Sequence, residues 1–121
     1  EAALSASHYK LDNLCAILDK NTLQISGPTS AVCNTDPVDE KFEAFGWAVR
    51  HVDGHNIGEL MDAFDALPFE NGKPSLIIAH TVKGKGVSYM ENQLKWHHGV
   101  PDTQQYADAI QELDELEVTL A

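Results

Sequence analysis

Three short segments carry residue types that could bind a metal ion and a phosphate. In DKNTL (residues 19–23), an asparagine amide oxygen and a nearby backbone carbonyl suit a hard cation such as Mg²⁺, which often keeps a phosphate as a further ligand. KGKG (residues 83–86) can present ammonium and backbone N–H groups to a phosphate. WHHG (residues 96–99) adds two imidazoles, which exchange protons near neutral pH. The chemistry to consider is therefore metal-assisted phosphate binding with proton transfer.

Each of these signals also has a structural explanation. Asn21 could simply support a turn, which composition alone favours. The KGKG segment could be a solvated turn, and no strand–GxxxxGK[ST]–helix pattern surrounds it. Adjacent histidines point in different directions, and no cysteine or third histidine has zinc-ligand spacing, so a structural zinc site is disfavoured. We expect His80, which ends an apolar run, to be a satisfied core histidine rather than a catalyst.

Composition excludes several classes of protein. The 121 residues are enough for one domain, and 43% hydrophobic with 22% charged residues is typical of globular chains. A formal net charge of -11 disfavours binding to nucleic-acid phosphates. The longest strongly apolar run, residues 76–79, is too short to span a membrane. Two cysteines do not make a disulfide framework, so we expect a reducing compartment, namely the cytoplasm.

Hydrophobic patterning predicts alternating helices and strands. Apolar runs predict strands at residues 14–18, 47–52 and 76–79, and we expect the first to be covered on both faces. Cap and turn signals predict four helices and two long loops. The helices are predicted at residues 1–10, at 38–45 with Pro37 as the first helical residue, from cap Asn56 with an apolar stripe of Ile57, Leu60, Met61 and Phe64, and from Asp102 to about Leu116; the loops are residues 19–35 and 81–101.

This order predicts an α/β fold with a parallel sheet flanked by helices. Three strands are few for such a sheet, so we expect further strands from an upstream part or a partner chain. In open α/β sheets, ligands bind beyond the carboxyl ends of the strands. The two long loops follow the first and third strands, so both are expected at one edge of the sheet. Asn21 and Lys83 would then both lie at that edge.

Motifs throughout the chain resemble the thiamine-diphosphate-binding domain of transketolases. The resemblance is specific because several spaced motifs agree in order over nearly the whole chain, and it implies the fold of that domain. These motifs are AA (residues 2–3), SHYKLDNL (7–14), ILDKN (17–21), FGW (45–47), VDGH (52–55), KP (73–74), TVKGKG (81–86) and WHHGVP (96–101).

The resemblance implies roles for five residues. Asn21 matches a side-chain ligand of Mg²⁺ or Ca²⁺, and Leu23 matches the residue whose carbonyl oxygen is a further metal ligand. Ile25 matches a position that packs on the ring of the cofactor thiamine diphosphate. Lys83 and His98 match residues near the diphosphate and the sugar substrate, and His98 is the candidate for proton transfer. Val100 departs from relatives that carry a lysine at this position, so we do not assign that basic contact.

The resemblance also implies parts of the enzyme that this chain lacks. A Gly-Asp-Gly segment, whose aspartate is a metal ligand, is expected to precede Glu1. Residues 1–121 would then be the C-terminal portion of the thiamine-diphosphate-binding domain. The family's pyrimidine-binding domain supplies the glutamate that activates the cofactor. We therefore expect a partner that provides this domain, either in the same chain or as a separate subunit, in a homo- or hetero-oligomer. The chain alone is expected to be inactive.

The implied reaction is transfer of a two-carbon ketol unit from a ketose phosphate to an aldose phosphate, as in the pentose phosphate pathway. Two alternatives remain open. One is another thiamine-diphosphate enzyme, such as 1-deoxyxylulose-5-phosphate synthase or a 2-oxo-acid dehydrogenase subunit, although residues 96–101 favour transketolase. The other is a truncated, non-catalytic domain that docks to a partner.

Overall fold

A computed structural model describes residues 1–120 and has the predicted α/β architecture. The four predicted helices and three main strands are present, with ends shifted by a few residues. The elements in chain order are α1 (Ala2–His8), β1 (Cys15–Lys20), β2 (Leu23–Gln24), β3 (Gly27–Pro28), α2 (Thr29–Val32), α3 (Val38–Ala44), β4 (Ala48–Asp53), α4 (Ile57–Asp65), β5 (Ser75–His80), a 3₁₀ turn (Leu94–His97) and α5 (Thr103–Leu120).

The chain divides into two compact units. The sheet unit comprises Glu1–Asn21 and Asn34–Thr81, and the loop unit comprises Thr22–Cys33 and the chain from Val82 onward. The sheet unit contains the three-stranded sheet and helices α1, α3 and α4. The loop unit contains the β2–β3 hairpin, α2, the 3₁₀ turn and α5.

The sheet of the sheet unit is parallel, with strand order β1–β5–β4. The central strand β5 is buried from Ser75 to Ala79, and Ile77 and Ile78 are each 0% exposed. A strand buried on both faces reads as a continuous apolar run, and the sequence of β5 has that form. The prediction that β1 is covered on both faces is wrong, because Ile17 is 56% exposed. Within residues 1–120, β1 has a paired neighbour only on its β5 side.

Two apolar clusters cover the faces of this sheet. On one face, Trp47 and Ile78 pack with Ala6 of α1 and Phe42 of α3. The Trp47 indole N–H donates a 2.9 Å hydrogen bond to the Ala3 carbonyl of α1, which satisfies the one polar atom of this buried ring. On the other face, a second cluster joins β4 and β5 to α4; its buried members are Val52, Ala63, Ile77 and Ala79.

Asn56 caps α4 and pairs with Glu59, as predicted, although the return hydrogen bond comes from the Asn56 side chain rather than from its backbone N–H. The Glu59 N–H donates to the Asn56 side-chain oxygen at 3.2 Å, and the Asn56 amide donates back to the Glu59 carboxylate at 3.1 Å. The same carboxylate accepts a 2.8 Å hydrogen bond from the Asp53 N–H at the end of β4. Glu59 therefore ties the beginning of α4 to the carboxyl edge of the sheet.

The predicted apolar stripe of α4 does not face the sheet as a whole. Leu60 packs against the core and Ala63 is buried, whereas Ile57, Met61 and Phe64 are 67%, 60% and 44% exposed. The smaller Ala63 allows close approach to β4 and β5, and this contact sets the rotation of the helix. Hydrophobic spacing alone does not show which side of a short amphipathic helix will be buried.

The segment predicted as a long loop, residues 19–35, contains regular structure. Antiparallel β2 and β3 pair Leu23 with Pro28 and Gln24 with Gly27, and α2 follows directly. The Thr29 N–H donates a 2.8 Å hydrogen bond to the Thr22 carbonyl, which closes the base of this hairpin. The prediction that residues 19–35 form a long loop is wrong for this part of the chain, because strands of two residues leave little periodicity in the sequence.

Pro37 differs from its predicted position by one residue. It is the cap residue before α3, which begins at Val38, and its ψ of 119° is extended rather than helical. Pro37 thus sets the direction of entry into α3 without joining the helix.

In the loop unit, hydrogen bonds link residues 82–101 to α5. The Tyr89 hydroxyl donates to the Gln105 carbonyl at 2.7 Å, and the Trp96 indole donates to the Tyr89 carbonyl at 2.9 Å. The Ser88 N–H and hydroxyl both donate to the Glu112 carboxylate at 2.6 Å, which lowers the pKa of Glu112. A long connection is therefore ordered by its own polar contacts. Among the described residues, no helix is both long enough and apolar enough to cross a membrane.

The predicted start of α5 is confirmed. Asp102 accepts a 2.9 Å hydrogen bond from the Gln105 N–H, and the Gln105 side chain accepts one of 3.0 Å from the Asp102 N–H. The helix extends to Leu120, beyond the predicted end near Leu116.

Candidate functional site

The three main strands end in one row at the carboxyl edge of the sheet. Lys20 of β1 and Asp53 of β4 are both register partners of His80 at the end of β5. The chain therefore leaves the sheet at Asn21, Gly54 and Thr81 along one edge, as predicted for the first and third strands. Ligands of open α/β sheets bind at such an edge.

A hydrogen bond joins the ends of the two strands that lead into the candidate segments. The Thr81 hydroxyl donates to the Asp19 carboxylate, across the paired strands β1 and β5. On the β4 side, the Gly54 N–H donates a 2.9 Å hydrogen bond to the His80 carbonyl. A Cβ atom at Gly54 would lie 2.5 Å from the Thr81 methyl carbon, so only glycine permits this approach.

Asn21 follows β1 directly and is half-buried. The preceding residue, Lys20, forms an ion pair with Asp36: its ammonium group lies 2.6 Å from the Asp36 carboxylate. This contact lowers the pKa of Asp36. Asn21 thus directly follows a residue whose charge is neutralised by an ion pair.

Leu23 and Ile25 belong to the hairpin of the loop unit. Leu23 is half-buried in β2, and Ile25 lies in the two-residue turn between β2 and β3, where its side chain is 66% exposed. The turn therefore presents an apolar side chain to the exterior of the hairpin, where it could pack on a ring.

Lys83 is the lysine of the loop unit best placed to take an external anion. It is half-buried, and no carboxylate of residues 1–120 lies within ion-pair distance of its ammonium group. By contrast, the Lys85 ammonium lies 3.5 Å from the Glu91 carboxylate, and the Lys95 ammonium lies 4.8 Å from the centroid of the Trp96 ring. In a chain of net charge -11, a half-buried cation without a counter-charge among these described residues favours an anionic ligand.

His98 follows the 3₁₀ turn and is exposed. The rings of His97 and His98 are nearly perpendicular, at 87°, with centroids 5.8 Å apart. The two imidazoles therefore present their nitrogen atoms in different directions, and each can act separately. Among residues 1–120, no group of three or more His, Cys, Asp or Glu side chains is arranged to hold a metal ion.

The expectation that His80 is a core histidine is wrong. His80 is exposed at the end of β5, and its Nε2 atom lies 2.9 Å from Nδ1 of His51 on β4. The other ring nitrogen of His51 lies 3.4 Å from the Asp39 carboxylate at the start of α3. The buried part of β5 ends at Ala79, and His80 is not a member of the apolar cluster that α1 and α3 form with this face of the sheet.

Sequence reasoning missed the Asp19–Thr81 and His51–His80 pairs. In each pair, the residues are far apart in the chain and meet only through the strand register. The one available signal was that both pairs fall at predicted strand ends. Of the five predicted site residues, Asn21 lies in the sheet unit, and the loop unit contains Leu23, Ile25, Lys83 and His98.

Comparisons with known proteins agree with this architecture. Residues 1–114 match the family described as "Transketolase, thiamine diphosphate binding domain". A subunit of apulose-4-phosphate transketolase from Phocaeicola vulgatus is 48% identical over 115 residues, which are 95% of this chain and 41% of that protein. The 6-deoxy-6-sulfo-D-fructose transketolase subunit SqwG of Clostridium sp. (strain MSTE9) is 39% identical over 114 residues, which are 94% of this chain and 42% of that protein.

The solved structures include transketolase from Campylobacter jejuni, which superposes with a TM-score of 0.70 and 26% identity, covering 98% of this chain and 22% of that one. The chain thus spans about two fifths of the length of the two curated relatives, at 41% and 42%. Family match, sequence identity and fold all agree over nearly the whole of the described sheet and loop units. The chain belongs to the transketolase thiamine-diphosphate-binding domain family.

Proposed function

We propose that residues 1–121 are the C-terminal portion of the thiamine-diphosphate-binding domain of a transketolase. The complete enzyme transfers a two-carbon ketol unit from a ketose phosphate to an aldose phosphate, using thiamine diphosphate and Mg²⁺ or Ca²⁺. The observation that carries this proposal is the register of Lys20 with His80 in a chain of this family. Because of this register, the two candidate segments begin next to each other at the carboxyl edge of the sheet, where α/β folds bind their ligands.

The metal ligands that this chain supplies are the Asn21 side chain and the Leu23 carbonyl. Both are neutral oxygen donors, which suit Mg²⁺ or Ca²⁺ and leave positive charge for the diphosphate. The family's third protein ligand is the aspartate of a Gly-Asp-Gly segment, which these 121 residues do not contain. The absence of a His, Cys, Asp and Glu cluster in the described residues is compatible with this donor set.

Lys83 is proposed to bind the diphosphate. A diphosphate carries several negative charges, whereas this chain has a net charge of -11, so the attraction must be local. The divalent ion and the Lys83 ammonium provide it. The absence of an ion-pair partner for Lys83 within residues 1–120 supports this role.

Ile25 and His98 complete the proposed site. Ile25 provides an apolar contact for the cofactor ring, and the exposed imidazole of His98 binds the diphosphate or substrate and transfers protons as the catalytic residue. When bound, thiamine diphosphate supplies the nucleophilic carbon and the electron sink needed to cleave a carbon–carbon bond. The protein contributes binding, orientation and proton transfer.

The complete enzyme is proposed to need a second domain or subunit that binds the aminopyrimidine ring. Two relatives are named as subunits of transketolases, which supports a separate partner chain and an oligomer. Their names specify two different sugars, so the sugar phosphate used here is not fixed by similarity. Both cysteines, Cys15 and Cys33, are free, which supports a reducing, cytoplasmic setting.

Replacing Lys83 with glutamine is expected to weaken the affinity of the complete enzyme for thiamine diphosphate by about tenfold, as for loss of a charge-assisted hydrogen bond. The effect should diminish as ionic strength rises. Isothermal titration calorimetry in the presence of Mg²⁺ measures it. Lys85→Gln is the matched control, because Lys85 already has Glu91 as a partner. Equal losses in the two variants would contradict a specific role for Lys83.

The reaction is tested by product analysis with the complete enzyme and its partner subunit. With a ketose phosphate donor and an aldose phosphate acceptor, the proposal predicts a ketose phosphate two carbons longer than the acceptor and an aldose phosphate two carbons shorter than the donor. Release of CO₂ from a 2-oxo acid, with no ketol transfer, would instead indicate one of the related thiamine-diphosphate enzymes. Binding of the partner without either reaction would indicate a docking domain.

A further inference from the structure

Asp19 and Thr81 are linked at the point where the two candidate segments leave the sheet. We propose that they are positioning residues for the cofactor site: their hydrogen bond fixes the ends of β1 and β5, from which the chain continues to Asn21 and to Lys83. This inference rests on the proposed function, because it concerns how the proposed ligands are held. Neither Asp19 nor Thr81 is proposed to touch the cofactor.

The spacing along the chain makes this linkage direct. Asp19 precedes the candidate metal ligand Asn21 by two residues, and Thr81 precedes Lys83 by two residues. Asp19 is the last residue but one of β1, and Thr81 directly follows the end of β5. Loss of the hydrogen bond between Asp19 and Thr81 would therefore act on both strand ends at once.

Thr81 is held on two sides. Its hydroxyl donates to the Asp19 carboxylate, and its methyl carbon lies close to the backbone of Gly54, where an added Cβ would be 2.5 Å away. The Gly54 N–H is itself fixed to the His80 carbonyl at 2.9 Å. The ends of β1, β5 and β4 are therefore tied together, and the side chain of Thr81 has little room to adopt another rotamer.

The pair contributes little to holding the sheet together. The six residues of β1 already pair with β5 through the backbone, and apolar packing buries Leu76–Ala79. Asp19 is exposed, and hydrogen bonds to exposed charged groups add little to global stability. The expected consequence of losing the pair is thus a change at the strand exits rather than unfolding.

The test compares four variants of the complete enzyme, each assembled with its partner subunit: three single substitutions and the combination of Thr81→Val with Asp19→Ala. Thr81→Val keeps the shape and removes the hydroxyl, Asp19→Ala removes the acceptor, and Thr81→Ser keeps the hydroxyl. Thr119→Val is the matched control, because the Thr119 hydroxyl donates to the Leu116 carbonyl within α5. Three properties are measured for each variant. They are the Kd for thiamine diphosphate with Mg²⁺ by calorimetry, the midpoint of thermal unfolding without cofactor, and the separate values of KM for the cofactor and of kcat.

We expect Thr81→Val and Asp19→Ala each to raise the Kd about fivefold, the amount of one modest hydrogen bond. The combined variant should be no weaker than either alone, because both remove the same interaction. Thr81→Ser, which keeps the hydroxyl but not the methyl group, should lose less affinity than Thr81→Val, and Thr119→Val should bind as the wild type does. KM for the cofactor should rise, with kcat at saturating cofactor nearly unchanged.

The outcomes separate this inference from the proposed function. If the wild type binds thiamine diphosphate and Thr81→Val binds equally well, the positioning role is wrong and the proposed function stands. If Thr81→Val lowers the thermal midpoint and weakens binding only in proportion to the unfolded fraction, the pair is structural and the inference is overturned. If the wild type does not bind the cofactor, the proposed function fails and this inference fails with it.

Discussion

Replacing Asn21 with leucine is expected to lower the Mg²⁺-dependent affinity of the complete enzyme for thiamine diphosphate by roughly a hundredfold or more. Losing a residue that only orients a metal ligand already weakens metal binding, and losing the ligand itself should weaken it at least as much. Leucine is similar in size to asparagine but has no oxygen donor. The diphosphate would then lose both the protein's hold on the metal and the cation that neutralises its charge. Calorimetric titration with cofactor at several Mg²⁺ concentrations measures this loss.

Two further variants make the result specific. Asn21→Asp retains an oxygen ligand and is expected to bind the metal, with the affinity changed less than in Asn21→Leu. Asn13→Leu makes the same substitution at an exposed turn residue before β1 and is expected to leave binding unchanged. An Asn21→Leu protein with the wild-type dependence on Mg²⁺ would exclude the ligand role.

Local signals predicted the features that depend on neighbouring residues. The capping pairs Asn56–Glu59 and Asp102–Gln105 formed because each needs only a four-residue stretch of chain. The buried strand β5 was predicted from its continuous apolar run. The α/β fold and the shared edge of the first and third strands followed from element order and the handedness of crossovers.

Features set by long-range packing could not be predicted in this way. The exposure of Ile17 depends on where β1 lies in the sheet, and the rotation of α4 depends on contact of Ala63 with two strands. The Asp19–Thr81 hydrogen bond joins residues 62 positions apart in sequence. Such features follow from strand order and register, which the hydrophobic pattern does not contain.

The residues of the candidate site also divide into those that sequence alone can suggest and those that it cannot. Lys83 and His98 belong to types that suggest anion binding or proton transfer from sequence alone. Leu23 is assigned through its backbone carbonyl, and every residue has one, so only the family resemblance singled it out. The structure adds the contrast between Lys85, which has a carboxylate partner, and Lys83, which has no ion pair among residues 1–120.

The second large effect is a loss of stability, expected when the hydrophobic core around the central strand β5 is disrupted. Replacing Ile77 with alanine should reduce the free energy of unfolding of the complete thiamine-diphosphate-binding domain by about 3 kcal/mol, as is typical for loss of a buried isoleucine side chain. Ile77 is 0% exposed in the central strand and packs with Val52, Ala63 and Ala79. Strands on both sides of β5 prevent the surroundings from collapsing into the cavity. Urea denaturation, followed by tryptophan fluorescence, measures the change.

The control is the same substitution at Ile57, which is 67% exposed at the start of α4. Ile57→Ala should change the free energy of unfolding by no more than about 0.5 kcal/mol, since little apolar surface is uncovered. Similar losses at both positions would mean that β5 is not the centre of the core. The cavity in Ile77→Ala should also loosen the packing beneath β4 and β5. Amide exchange at the strand ends, near Gly54 and Thr81, should therefore accelerate in that variant and not in Ile57→Ala.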